Sequence, residues 1–222
     1  MTRRGLRYLA ERAWLTVAWR SGARRLINRL RYGAQAPRPG QRLTISPDML
    51  TERYHMAQNH DKPIGHWQTG RVLAGDWDDC MRSFEKSLKY NSCRQHFLNG
   101  VPWEDTRAIP YGLQRIARLG KYDDCRSESD LAARYARLDD LWEKTRAAGA
   151  FPAKAATQTS PRTGILVHVD RNGTLLFGNQ GFHRLAIAKL LALPQITVVI
   201  GVVHPGAVKS GAYHALVTRH GS

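Results

Sequence analysis

The hydrophobic pattern is sharpest between Ile165 and His204, where it switches from strand spacing to helix spacing and back. Ile165–Val169 is apolar and β-branched and predicts a strand. Asp170-Arg171-Asn172-Gly173 then carries the Asn-Gly pair that favours a two-residue hairpin loop, and Thr174–Phe177 predicts the return strand. After Gly178-Asn179-Gln180-Gly181, residues Phe182, Leu185, Ala186, Ala188, Leu190, Leu191 and Leu193 recur at helical spacing until Pro194. Ile196–Val203 is almost unbroken β-branched sequence, which suits a central strand buried on both faces.

Elsewhere the pattern is weaker. Arg42–Ile45 predicts a short strand, and Ser46-Pro47-Asp48 predicts a capped helix from Pro47 to about Met56. Val72–Ala74 predicts a strand entering Gly75-Asp76-Trp77-Asp78-Asp79. From Asp79 to Ala148 the spacing is helical, with glycine stops at Gly100, Gly120 and Gly149 and a serine-acid start at Ser127-Glu128-Ser129-Asp130. In residues 1–33, Leu6, Leu9, Ala10, Ala13 and Val17 share one helical face, and Trp19, Ala23, Leu26 and Leu30 form a second stripe. Ala34–Gln41 and Pro152–Gly164 are predicted linkers. The tail beyond His204 is expected to be mildly basic and partly disordered.

Composition adds one strong fact. The 222 residues are 42% hydrophobic, enough for one domain with a sizeable core, and they carry a net charge of +16. Nine arginines against the single acid Glu11 place half of that charge in residues 1–33. A basic amphipathic helix there predicts attraction to nucleic acid or an anionic membrane surface, the alternative being a helix packed on the domain with its arginines in solvent. Arg12 and Arg20 interrupt any signal-peptide core, and no stretch of about 18 apolar residues exists to span a bilayer. Cys80, Cys93 and Cys125 form no C-x-x-C pair and fit a reducing compartment, so a cytoplasmic protein, peripheral to the membrane at most, is expected. His55, His60 and His66 lack the cysteine or carboxylate pattern of a metal site, and none is predicted.

Two stretches carry candidate chemistry. The corner Gly178, Asn179, Gln180, Gly181, His183 and Arg184 opens a helix, whose free N–H groups and positive dipole end attract anions. Its glycines either let a ligand approach the backbone or only satisfy positive φ, and Arg184 either grips phosphate or pairs with a surface carboxylate. Asp76 and Asp78 project the same way if their segment is extended, and both would then reach one Mg²⁺ or a substrate proton. The alternative is that Asp78 or Asp79 caps the next helix and Trp77 fills the core.

The order strand, Asn-Gly turn, strand, Gly181-Phe182-His183-Arg184, Leu185-Ala186-Ile187-Ala188-Lys189 and final strand resembles the ParB/sulfiredoxin superfamily over about forty residues. The resemblance implies an α+β fold with a small mixed sheet. It also implies nucleotide phosphates (ATP, ADP or CTP, with or without Mg²⁺) at the Gly-x-His-Arg corner, as in CTP-binding partition proteins, ATP-dependent sulfinic acid reductases and an ADP-dependent serine kinase. Phe182 stands where the reductases carry their catalytic cysteine, which excludes sulfinic acid reduction. Gln180 stands where the kinase type has an aspartate, so a phosphotransferase or nucleotide hydrolase would need Asp76 or Asp78 instead. On this basis the chain divides into a basic helix (1–33), a first part of the ParB-like domain (34–78), an inserted helical block (79–150) and a second part (151–222). The competing expectation is a non-catalytic adaptor using its basic N-terminus. His183 is expected either to cover the ligand or to hydrogen-bond inward, unless it is a core residue packed on Phe182.

Overall fold

A computed structural model describes residues 21–55, 64–79, 81–152 and 164–221. The predicted helix over residues 1–20, His60, Cys80 and most of the linker after Pro152 lie outside the described residues. The fold is α+β, built on one seven-stranded mixed sheet.

Residues 21–32 form α1. The strands are β1 (Arg42–Ile45), β2 (Glu52–Tyr54), β3 (Arg71–Val72), β4 (Met81–Ser83), β5 (Ile165–Val169), β6 (Leu175–Phe177) and β7 (Ile196–Val203). Their order is β1-β7-β5-β6-β2-β4, and β3 continues the β1 edge of β7 further along. β7 runs parallel to β5 and β3 and antiparallel to β1. It lies second from one edge of this order, paired on both sides and buried on both faces as its composition predicts, with only Thr197 less than buried.

The inserted block supplies α2 (Leu88–Asn99), α3 (Ala108–Leu119) and α4 (Glu128–Ala148). Each ends at a left-handed glycine, Gly100, Gly120 or Gly149, and the Ser127 hydroxyl caps α4 by accepting from the Asp130 N–H at 3.1 Å. Pro110 falls in the first turn of α3, where its missing N–H costs nothing, so the helix is not broken there. α5 (Phe182–Leu190), α6 (Pro205–Lys209) and α7 (Ala212–His220) complete the chain.

The core lies between these helices and one face of the sheet, with Ile165, Val167, Val169, Leu175 and Phe177 pointing into it at period two. Along β7 the inward set is Ile196, Val198 and Ile200, then Val203. That change of parity marks a β-bulge, since Val167 pairs with Ile200 but Val169 pairs with Val203. The opposite face carries Leu176, Val202, Tyr54 and Trp77, with His168 edge-on to both aromatic rings.

Several expectations change. The helix predicted from Pro47 to Met56 is a single 3₁₀ turn, Pro47–Met49, after which Glu52–Tyr54 leaves as a strand. Ser46 does cap the turn, accepting from Asp48 N–H at 3.3 Å. The segment after Asp79 is likewise a strand, paired antiparallel with β2, before α2 begins. The tail is folded, because the His204 imidazole accepts from Gly206 N–H at 3.0 Å and Pro205 occupies the first helical position of α6. The β5–β6 loop has three residues, not two. Asp170 N–H donates to Thr174 O, only Gly173 among them has positive φ (89°), and the Asp170 carboxylate accepts from the N–H groups of Asn172 and Thr174.

Candidate functional site at the start of α5

The chain leaves β6 through Gly178, which donates to Leu166 O at 2.7 Å, and turns through two left-handed residues, Asn179 (φ 69°) and Gly181 (φ 78°). A Cβ on Gly181 would stand 2.9 Å from Gly164 O and the Ile165 Cα, and one on Gly178 would stand 2.8 Å from His168 Nε2. Both glycines therefore admit neighbouring protein rather than open a path for a ligand to the backbone. Gln180 O accepts from Leu166 N–H at 3.1 Å, which ties the corner to the first strand of the hairpin.

α5 starts at Phe182 with Gly181 as its cap, a residue with no side chain to accept from the first-turn N–H groups. His183 follows and is buried, with its Nε2 left without a hydrogen-bond partner among the described residues. Burial lowers the imidazole pKa to about 3, with Lys89 and Arg134 adding to the effect and Asp123 opposing it, so the ring is neutral near pH 7. Its ring is edge-on to Tyr135 (5.9 Å) and Phe182 (5.9 Å). Arg184 is half-buried, and burial lowers its pKa from the ordinary arginine value.

Facing this turn is a group from the inserted block that the sequence did not single out. Lys89 of α2 forms an ion pair with Asp123 and lies 5.7 Å from the centroid of the Phe182 ring and 4.9 Å from that of Tyr122. Arg134 of α4 donates to Asp123 O at 3.0 Å and stands 3.9 Å from its carboxylate. Burial alone would raise the Asp123 carboxyl, but the charge and hydrogen bond of Lys89, with Arg134 behind, hold it below the usual carboxylate value. Asp123 and Asp124 both have positive φ (49° and 67°), and Tyr122 and Cys125 exchange backbone hydrogen bonds at 2.9 Å across them. This two-residue turn of non-glycine residues is strained, and its consequence is to hold Asp123 between two cations. Nothing in the spacing of Lys89, Asp123 and Arg134 announces the group, because three elements far apart in sequence contribute one residue each.

Asp76 and Asp78 lie elsewhere. The Arg171 guanidinium at the hairpin tip holds Asp78 in a fork, Nε to Oδ2 at 2.8 Å and NH2 to Oδ1 at 2.6 Å, and the Arg171 N–H adds a third bond at 2.9 Å. The same NH2 group reaches Asp76 at 3.2 Å and Asp79 at 3.4 Å. The segment is not extended, since Trp77–Asp79 forms a 3₁₀ turn, and both aspartates meet a cation of the chain itself. Burial would raise the Asp78 carboxyl, yet the bonds from Arg171 hold it below its ordinary value. Gly181 touches Ile165 at the start of β5 and Arg171 follows its end, so roughly 13 Å of strand separates the aspartates from the corner at about 3.3 Å per residue. Trp77 fills the second apolar cluster and donates to Leu73 O at 2.8 Å.

Cys93 and Cys125 are buried and unpaired, and burial raises the Cys93 thiol to about 12. Among the described residues no three His, Cys, Asp or Glu side chains are placed to hold a metal. No described helix is long and apolar enough to cross a membrane. Compared with protein-family models, with curated proteins and with solved structures, the chain has no match, so its chemistry rests on this geometry.

Proposed function

We propose that the start of α5 binds the phosphates of a nucleotide, of the ATP, ADP or CTP class, between the corner Gly178–Arg184 and the inserted helical block. The observation that carries the reading is the His183 Nε2, buried without a partner in the first turn of α5, with Lys89 and Arg134 gathered beside it. An unmet buried polar atom costs about 1–3 kcal/mol, and a ligand oxygen would supply the missing bond. Two cations beside a helix N-terminus oppose the macrodipole; Asp123 offsets one of these charges, and a ligand phosphate would offset the other. The resemblance of Gly181-Phe182-His183-Arg184 to the ParB/sulfiredoxin corner supports the same ligand class.

Phosphoryl transfer would require a carboxylate at this turn for metal or proton. Asp76 and Asp78 are committed to Arg171 at the other end of β5, which leaves Asp123 as the carboxylate within the site. Calorimetric titration with ATP, ADP and CTP, with and without Mg²⁺, tests the proposal. Binding at roughly millimolar affinity or tighter, weakened about tenfold by Arg184→Ala, is the expected result. Absence of binding by all three would remove the proposal.

A further inference from the structure

α1 docks on the domain by its polar side. Asn28, buried, donates to Pro37 O at 2.6 Å and to Gly70 O at 2.7 Å, and Arg24 donates to Thr69 O at 2.6 Å and Trp67 O at 3.2 Å. The apolar stripe of the same helix therefore points outward. Leu26 and Leu30 each lie about 160° around the helix from Asn28, at 100° per residue, with Ile27 beside them. Their exposures are 60%, 78% and 48%, large for such side chains in an ordered helix. An amphipathic helix that only stabilised this domain would have the opposite orientation, because burying leucine is what such packing gains.

The flanks of the stripe are cationic. On one side a depression of 410 Å³ is lined by Ile27, Arg31 and Arg71, and near the other a depression of 350 Å³ is lined by Arg25, Arg38 and Arg42. Leucines on the crest with arginines on both shoulders match the boundary of an anionic bilayer, where apolar side chains enter the acyl region and guanidinium groups meet lipid phosphates. A nucleic acid would use the arginines but leave the leucines in water. A second copy on this face would bring two sets of arginines together. We propose that the Leu26–Ile27–Leu30 face of α1 docks the protein on anionic membrane surfaces, which goes beyond the nucleotide reading and does not depend on it.

The test is flotation of the full chain with phosphatidylcholine vesicles and with vesicles containing phosphatidylglycerol, at several salt concentrations. The expected result is flotation with the anionic vesicles, weakened by salt, and a loss of roughly tenfold or more in partitioning for Leu26→Glu/Leu30→Glu. Arg25→Glu/Arg29→Glu should reduce the preference for anionic over neutral lipid. Both variants change exposed positions and should melt like the wild type, which a thermal scan verifies. Equal partitioning of the leucine variant, or no flotation of the wild type, overturns the proposal. So does a dimer in light scattering that the leucine variant dissociates while vesicles bind neither form, since the face would then belong to a second copy.

Discussion

Arg171 and Asp78, 93 residues apart in sequence, form a forked ion pair that fastens the β5–β6 hairpin tip to the turn after β3. Asp78 has a side chain only 2% exposed, whereas Asp76, which shares the same guanidinium, is 84% exposed. Losing the buried Asp78 carboxylate removes three hydrogen bonds with Arg171, two of them from its guanidinium, while losing the exposed Asp76 removes one contact that contributes little. Asp78→Ala should therefore cost about 2–4 kcal/mol in chemical denaturation, and Asp76→Ala less than about 0.5 kcal/mol. Similar losses for both would contradict this division of roles.

His168 and His183 predict a particular acid sensitivity. Burial lowers both to about 3, from an ordinary value of 6.5. The unfolded chain then binds protons that the folded chain refuses, so the stability present above pH 6.5 is lost as pH falls from there towards 3. Each histidine contributes a slope approaching about 1.4 kcal/mol per pH unit once well below 6.5. Denaturation between pH 4.5 and 6.5, above the range where the lowered carboxylates titrate, should show this slope and should show it reduced in His168→Gln. A slope unchanged by that substitution would assign the effect to other groups.

The bulge in β7 rests on a fit between His168 and two glycines. The displaced Val202 N–H donates to His168 Nδ1 at 3.2 Å, so the neutral ring carries its proton on Nε2. A Cβ on Gly201 would lie 2.4 Å from Nδ1, and one on Gly178 would lie 2.8 Å from Nε2. Gly201→Ala should destabilise by about 1–3 kcal/mol through overpacking, and much less in a His168→Ala background. Additive losses in the double mutant would separate the bulge from the ring.

Asp123 competes with any anion for Lys89 and Arg134. Under the proposed function Asp123→Asn should tighten nucleotide binding by several-fold, about 1 kcal/mol, while abolishing any transfer activity that uses its carboxylate. Titration of the variant checks the first part. Weaker binding would mean that Asp123 supports the ligand rather than blocks it.

The strands and helix from Ile165 to Val203 were legible because each carries its own periodicity and its own stop. The glycine ends of α2, α3 and α4 were legible for the same reason. β2 and β4 were not, since three residues such as Glu52–Tyr54 show no alternation and form a strand only by pairing with Phe177 of β6 and with β4. The Pro205 start of α6 was present in the sequence, yet the tail was expected to be partly disordered. At the site, the corner was visible, whereas Lys89, Asp123 and Arg134 meet only through tertiary packing. The amphipathic pattern of residues 21–32 was visible too. Its orientation was not, because it is set by Asn28 and Arg24, whose carbonyl partners at Gly70 and Thr69 lie more than forty residues away.

The most direct measurement follows the two buried histidines by nitrogen NMR on protein labelled with ¹⁵N-histidine, as ATP, ADP or CTP is added. Their Nε2 atoms are both buried without partners among the described residues, but His183 lies at the start of α5 and His168 lies on the opposite face of the sheet. The account predicts that the His183 Nε2 resonance moves as its missing hydrogen bond forms, at nucleotide concentrations up to about millimolar, while that of His168 stays in place. Binding that leaves His183 unmoved, or no change in either ring, would contradict it.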